Sequence, residues 1–225
     1  MSQKLILHIC RSKGWADYEV EVSKEAFVLD ALQAAWLQDN TLMFSHSCHH
    51  SSCGSCGIII AGQERLACKT RIKEVVSDGE PLSLEPLHNF PLVGDLVVDF
   101  HPIMDQLENI GFPLVRSSEE IEDELSGKIP EYKRLEDCIE CGLCLSACPV
   151  WTKDHAFSGP AGLAAAERIF DEPRGRDIQK LTQKIDNERG LQCCQAAQEC
   201  SKVCPKNVDP ASAITRLRQM LLAEL

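Results

Sequence analysis

Residues Cys138 to Pro149 read Cys-Ile-Glu-Cys-Gly-Leu-Cys-Leu-Ser-Ala-Cys-Pro. Three cysteines spaced by two residues, with a fourth three residues on and followed by proline, is a spacing in which three thiolates hold one iron-sulfur cubane and the fourth reaches a second. Such a run demands a complementary stretch elsewhere in the chain. Cys194 to Pro205, Cys-Gln-Ala-Ala-Gln-Glu-Cys-Ser-Lys-Val-Cys-Pro, supplies it. Laid on the first run, Cys194, Cys200 and Cys204-Pro205 fall in step, and Ala197 stands where the second cysteine would be. Cross-ligation then assigns Cys138, Cys141, Cys144 and Cys204 to a 4Fe-4S cluster. Cys148, Cys194 and Cys200 are left to hold three irons, as 3Fe-4S. The alternatives are a zinc site or a redox-active Cys-x-x-Cys pair. Zinc wants four ligands and explains neither the triple spacing nor both Cys-Pro endings.

A second pattern lies upstream. Cys48, Cys53 and Cys56 are spaced Cys-x4-Cys-x2-Cys, and Cys68 follows an Ile58-Ile59-Ile60 strand and an Ala61-Gly62-Gln63-Glu64 turn. This is the plant-type 2Fe-2S spacing. A loop wrapping a small anionic cluster must turn its backbone N–H groups inward, and Gly54 and Gly57 permit the conformations and close approaches this needs. His46, His49 and His50 raise the option of a Rieske-type centre, but four cysteines already fill the ligand positions. The histidines are read as loop residues that tune potential or solvent access.

Around these motifs the chain reads as α+β. Leu5 to Ile9 and Tyr18 to Val22 alternate with period two about a turn at Gly14, an opening hairpin. Phe27, Leu32, Ala35 and Trp36 predict a helix over Lys24 to Gln38 with Ser23 as its N-cap. Cys10 and Trp36 are expected in the core. Pro81 to Pro86 reads as the last strand of a β-grasp plant-type 2Fe-2S ferredoxin domain spanning 1–100. Between Phe90 and Pro130, prolines 91, 102, 113 and 130 punctuate short apolar pieces, and Ser117 to Glu124 is a polar, acidic solvated face. Gly162 to Asp171, Asp177 to Asn187 and a final helix capped by Asp209-Pro210 make 101–225 an α-helical, bacterial-ferredoxin-like domain with two cubane-type cluster sites.

Composition narrows the class. Thirteen cysteines in 225 residues is an odd number at metal-ligand spacing, which fits a reducing compartment better than a disulfide framework. The apolar piece Leu5 to Cys10 is too short for a signal peptide, and the longest uncharged segment, Asn40 to Gln63, is rich in Ser, His and Cys, so no transmembrane segment is expected. A net charge of −11 argues against nucleic acid as a partner, and any membrane contact would need a partner subunit. No nucleotide-binding glycine motif or nucleophile-base pattern is present, so catalytic residues are expected on a partner with a two-electron cofactor such as flavin.

Taken together, Ser47-Cys48 through Cys56, Asp95-Leu96-Val97-Val98-Asp99, Cys138 to Pro149, Gly159-Pro160-Ala161-Gly162-Leu163 and Cys204-Pro205-Lys206-Asn207-Val208-Asp209-Pro210 resemble the iron-sulfur subunit of the succinate dehydrogenase and fumarate reductase family over nearly the whole chain. The resemblance implies single-electron transfer between FAD in a flavoprotein subunit and quinone at a membrane-anchor subunit, with or without haem b. It implies the order 2Fe-2S, 4Fe-4S, 3Fe-4S from flavin to quinone, with the first domain docked on the flavoprotein and the second on the anchor. It places the complex on the cytoplasmic side of the cytoplasmic membrane, with this subunit peripheral.

Departures from the family pattern are equally specific. Many relatives carry Arg-Glu-Gly where this chain has His49-His50-Ser51, which bears on the potential of the first cluster. In some relatives a histidine after the first ligand of the second run, and a Ser and Trp after the Cys-Pro, form part of the quinone pocket. Pro149, Trp151 and Gln195 are carried over as quinone-side candidates. The ligand sets use eleven of the thirteen cysteines and leave Cys10 and Cys193. Cys193 is either an inert thiol or an alternative ligand that would complete a second 4Fe-4S cluster. The competing assignment within electron transfer is a subunit of a thiol-driven fumarate reductase or a heterodisulfide reductase-like complex. For the small heterodisulfide subunits, Ala197 and the Cys48 to Cys68 domain count against it.

Overall fold

The structure is a computed structural model that describes residues 2–76, 80–112, 135–152, 157–171 and 178–223. The acidic run Ser117 to Glu124, with Pro113 and Pro130, lies outside the described residues. The strands are β1 (Ser2–Arg11), β2 (Gly14–Ser23), β3 (Gly57–Ile60), β4 (Gln63–Leu66), β5 (Leu82–Glu85), β6 (Leu92–Gly94) and β7 (Val97–Val98). The helices are α1 (Val28–Gln38), α2 (His101–Ile110), α3 (Leu143–Ser146), α4 (Gly159–Asp171), α5 (Ile178–Ile185), α6 (Glu199–Lys202) and α7 (Pro210–Ala223). They form two compact units, residues 1–100 with 139–147, and residues 101–138 with 148–225.

In the first unit a five-stranded sheet runs β2-β1-β5-β3-β4. β1 and β2 pair antiparallel from Ser2↔Ser23 to Arg11↔Gly14, and β5 inserts parallel to β1 and antiparallel to β3. The alternation predicted for the hairpin is what buries it, with Leu5, Leu7 and Ile9 of β1 and Tyr18, Val20 and Val22 of β2 all buried, Leu5 opposite Val20 and Leu7 opposite Tyr18. α1 crosses that face through Val28, Leu29, Ala31, Leu32 and Ala35, completing a β-grasp. A small ribbon, β6 with β7, follows the sheet.

Two local expectations shift. α1 starts at Val28, because Ser23 still pairs with Ser2 in the hairpin and its hydroxyl accepts Glu25 N at 3.3 Å. Asp30 closes the helix start by accepting Phe27 N at 2.8 Å. Trp36 is 44% exposed. In that last turn the residue wholly buried against the sheet is Ala35, and one turn of helix offers such a place to few side chains. Cys10 is half-buried, its thiol pushed up by burial and by the carboxylates of Glu85 and Asp95.

A polar knot secures the chain that leads into the first cysteine loop. Asp95, 4% exposed, accepts Ser12 N at 2.8 Å and Met43 N at 2.9 Å, and pairs with Arg11 Nε at 2.9 Å. Arg11 also donates to Asp39 Oδ2 (2.8 Å) and Thr41 Oγ1 (3.0 Å). Burial alone would raise the Asp95 carboxyl; the amides of Ser12 and Met43 together with Arg11 outweigh it and hold it below the usual carboxylate range.

The second unit is helical. α4 packs against α2, α5 and α7, and its small residues permit the close approach, since a Cβ on Gly162 would stand 2.9 Å from Ile110 Cδ1. Glu167 is fully buried on α4 and takes a two-pronged ion pair from Arg216 of α7, with Nη2 to Oε2 at 2.8 Å. The expected helices near 162–171 and 177–187 appear as α4 and α5. Asp209 caps α7 by accepting Ser212 N at 3.2 Å.

Candidate metal centres

The first cysteine loop turns through the left-handed region at His49 (φ 60°), Ser51 (57°) and Gly54 (75°). Alternating these residues with ordinary backbone aims successive amides inward, an anion-binding nest. Cys48 Sγ accepts His50 N (3.5 Å) and Ser52 N (3.3 Å), and Cys68 Sγ accepts Ser51 N (3.3 Å). Those amides pull the Cys48 thiol down to about 6. Cys56 is buried instead, and burial pushes its thiol up to about 12. Cys48 contacts Cys53, and Cys56 contacts Cys68, whose segments are tied by Ala67 N to Cys56 O at 3.0 Å. Four thiols with inward amides fit a compact anionic cluster. The imidazoles take other partners: His46 Nδ1 lies 2.9 Å from His49 Nε2, and the His50 ring meets the Cys48 carbonyl.

Residues 139–147 pack onto this loop within the first unit. A Cβ on Gly54 would fall 2.8 Å from Cys141 Cβ and 2.9 Å from its Cα, and one on Gly57 would fall 3.1 Å from Cys141 O. Glycine is required for that approach. Ser146 latches the segment, donating to Glu64 Oε1 at 2.9 Å and accepting His88 N at 2.9 Å. Cys141 and Cys144 therefore stand in the first unit. Cys138, exposed, and Cys204 stand in the second, where Cys204 packs on Leu135, Ala164, Val208 and Ala213 and its sulfur accepts Val208 N at 3.3 Å.

The second unit brings Cys148, Cys194 and Cys200 together. Burial, the largest cause, pushes the Cys200 thiol up to about 11, and Cys148 and Cys194 each add to the rise by charge. Amides again point at the sulfurs, from Val150 and Trp151 to Cys148, from Ser201 to Cys200, and from Ala196 to Cys194 at 3.4 Å. The backbone is left-handed at Ala196 (φ 55°) and Gln198 (63°). The three thiols and Ala197 line a cavity of about 580 Å³, with Pro149 and Gln195 in the same wall. Trp151 is 1% exposed and outside that wall. With the Gln106 amide oriented to satisfy both its ends, Trp151 Nε1 donates to it at 2.5 Å. Cys193 is also outside the wall. Among the described residues no three His, Cys, Asp or Glu side chains converge on a point fit for one metal ion.

Sequence reasoning passed over Arg218, which lines the cavity from α7 and donates to the carbonyls of Leu191 (2.6 Å) and Cys194 (2.7 Å). No local spacing announces a bond across more than twenty residues.

Residues 9–105 match a 2Fe-2S iron-sulfur cluster binding domain family, and residues 134–208 match a 4Fe-4S dicluster domain family. The fumarate reductase iron-sulfur subunit of Mycobacterium tuberculosis is 37% identical, over 89% of this chain and 83% of its own. The chain belongs to the succinate dehydrogenase and fumarate reductase iron-sulfur subunit family. The succinate dehydrogenase iron-sulfur subunit of Coxiella burnetii is 30% identical, over 92% of this chain and 90% of its own. A chain of the Mycobacterium smegmatis Sdh1 complex shares the fold, with a TM-score of 0.83 at 24% identity over 100% of this chain and 98% of that one. As in the family pattern, a 2Fe-2S domain precedes a helical domain with paired cysteine runs.

Proposed function

We propose that this chain is the electron-transfer subunit of a membrane-associated succinate dehydrogenase or fumarate reductase complex, relaying single electrons between FAD in a flavoprotein subunit and quinone at a membrane-anchor subunit. Cys48, Cys53, Cys56 and Cys68 would hold 2Fe-2S; Cys138, Cys141, Cys144 and Cys204 would hold 4Fe-4S; Cys148, Cys194 and Cys200 would hold 3Fe-4S. When bound, the clusters supply one-electron carriers that change oxidation state with little rearrangement. The chain's own residues hold the thiolates, turn amides toward them and set exposure, the means by which a protein tunes such groups. The observation that carries this reading is the presence of two cysteine runs of one backbone form, the second with Ala197 in a ligand's place, and of Cys194 and Cys200 of that run beside Cys148 of the first at one cavity.

Pro149 and Gln195, in the cavity wall beside Cys148 and Cys194, are the quinone-side contacts; Trp151 supports them from the core, donating amide to Cys148. No helix among the described residues is long and apolar enough to cross a membrane, so attachment to the cytoplasmic face of the cytoplasmic membrane would go through the anchor subunit. Electron paramagnetic resonance on the native complex tests the reading. A 3Fe signal is expected in the oxidised complex and is expected to vanish on adding succinate; a signal indifferent to succinate would remove the dicarboxylate partner.

A further inference from the structure

Cys193 and Cys194 are neighbours beside a site that lacks one thiolate, yet only Cys194 joins the cavity wall. Cys193 is not remote, because it directly precedes Cys194 in the chain and is itself half-buried. Cys193 ends the Leu191–Cys193 3₁₀ turn and Cys194 leaves it in extended backbone, so the two thiols are presented differently, and a rotation of that turn would exchange one for the other or add the second.

Two anchors oppose that rotation. At the start of the turn a Cβ on Gly190 would overlap Ile185 O at 1.9 Å, so the backbone there rests directly on the end of α5. Arg218 Nη2 binds Leu191 O at the first residue of the turn and Cys194 O just past its last, bracketing Gln192 and Cys193. Bonds from a guanidinium are charge-assisted and stronger than neutral ones. α7 holds Arg218 in place through Ile214 and Leu217, both buried.

We infer that Arg218 is a positioning residue that presents Cys194 to the third site, withholds Cys193, and so keeps that site at three thiolates. The inference rests on reading Cys148, Cys194 and Cys200 as a cluster site. Filling the fourth corner would bind one ferrous ion and release the Cys193 thiol proton to solvent. No electron is exchanged if the three-iron core is in its reduced form.

The test compares the native complex with complexes carrying Arg218→Leu, Cys193→Ser, or both. Arg218→Leu is expected to lose most of the oxidised 3Fe resonance and to gain a further 4Fe-type resonance on reduction with dithionite. The double variant is expected to recover the 3Fe resonance, and Cys193→Ser alone to leave it unchanged. An unchanged 3Fe resonance in Arg218→Leu overturns the inference. So does loss of the third site in both Arg218 variants, or an added 4Fe resonance that survives Cys193→Ser. Absence of any 3Fe resonance in the unmodified complex would count against the proposed function and not against Arg218 in particular.

Discussion

The runs beginning at Cys138 and Cys194 share one backbone form and use it oppositely. Each turns left-handed two and four residues after its first cysteine, at Glu140 and Gly142 in one and at Ala196 and Gln198 in the other. Each then enters a four-residue helix, α3 or α6, capped by that second residue. In the first run the form is closed. Gly142 is buried, and a Cβ there would meet Phe100 at 2.9 Å and Phe90 at 3.0 Å. In the second run residues 195–198 are exposed, so a glutamine can occupy the place that glycine must fill in the first. The same backbone form thus carries cysteine at Cys141 and alanine at Ala197, the alanine exposed and in the wall of a cavity.

The comparison breaks most severely if the first unit loses its bracing. Asp95→Ala is expected to destabilise it by about 3–4 kcal/mol at neutral pH, the usual cost of removing one partner of a buried ion pair, while the 3Fe resonance of the second unit persists. The Asp95 carboxyl is held below its ordinary value in the folded chain. Its stabilisation is therefore complete above about pH 4, near the unfolded value, and fades as pH falls through the lower folded value. Thermal unfolding of wild type and variant between neutral and acid pH should show the gap closing on the acid side.

Gly142→Ala should cost about 2–3 kcal/mol, combining a left-handed alanine with overpacking against two phenylalanines, read as a lower thermal midpoint. Ala197→Cys restores the missing corner. It is expected to replace the oxidised 3Fe resonance with a 4Fe cluster and to slow quinone reduction about tenfold, leaving the other two clusters in place; an unchanged 3Fe resonance would sink the cross-ligation map. Gln198→Gly should have the smallest effect, stabilising by less than about 1 kcal/mol because it only relieves a left-handed side chain. A large effect there would mean that the glutamine has a partner that the open loop does not suggest.

Much of the site was legible in the residues. The hairpin's alternation, the two cysteine runs and the Cys48 to Cys68 pattern all depend on steps of a few residues, and Cys148, Cys194 and Cys200 line one cavity. The start of α1 was not, because Ser23 is a sound N-cap by type but is already committed to Ser2 across the hairpin. Trp36 was not, because an apolar stripe says which face is buried without saying how large a side chain the last turn can cover. Nor was the attachment of residues 139–147 to the first unit, which depends on Gly54, Glu64 and His88, all far away along the chain.

By itself the sequence determined that the chain carries a 2Fe-2S domain followed by paired cysteine runs, since ligand spacing around a cluster is a property of short stretches of backbone. Only the tertiary structure decided which of Cys193 and Cys194 reaches the third site. That choice is made by a guanidinium on α7 and a glycine lying against the end of α5, and bonds between residues this far apart form only once packing has brought their helices together.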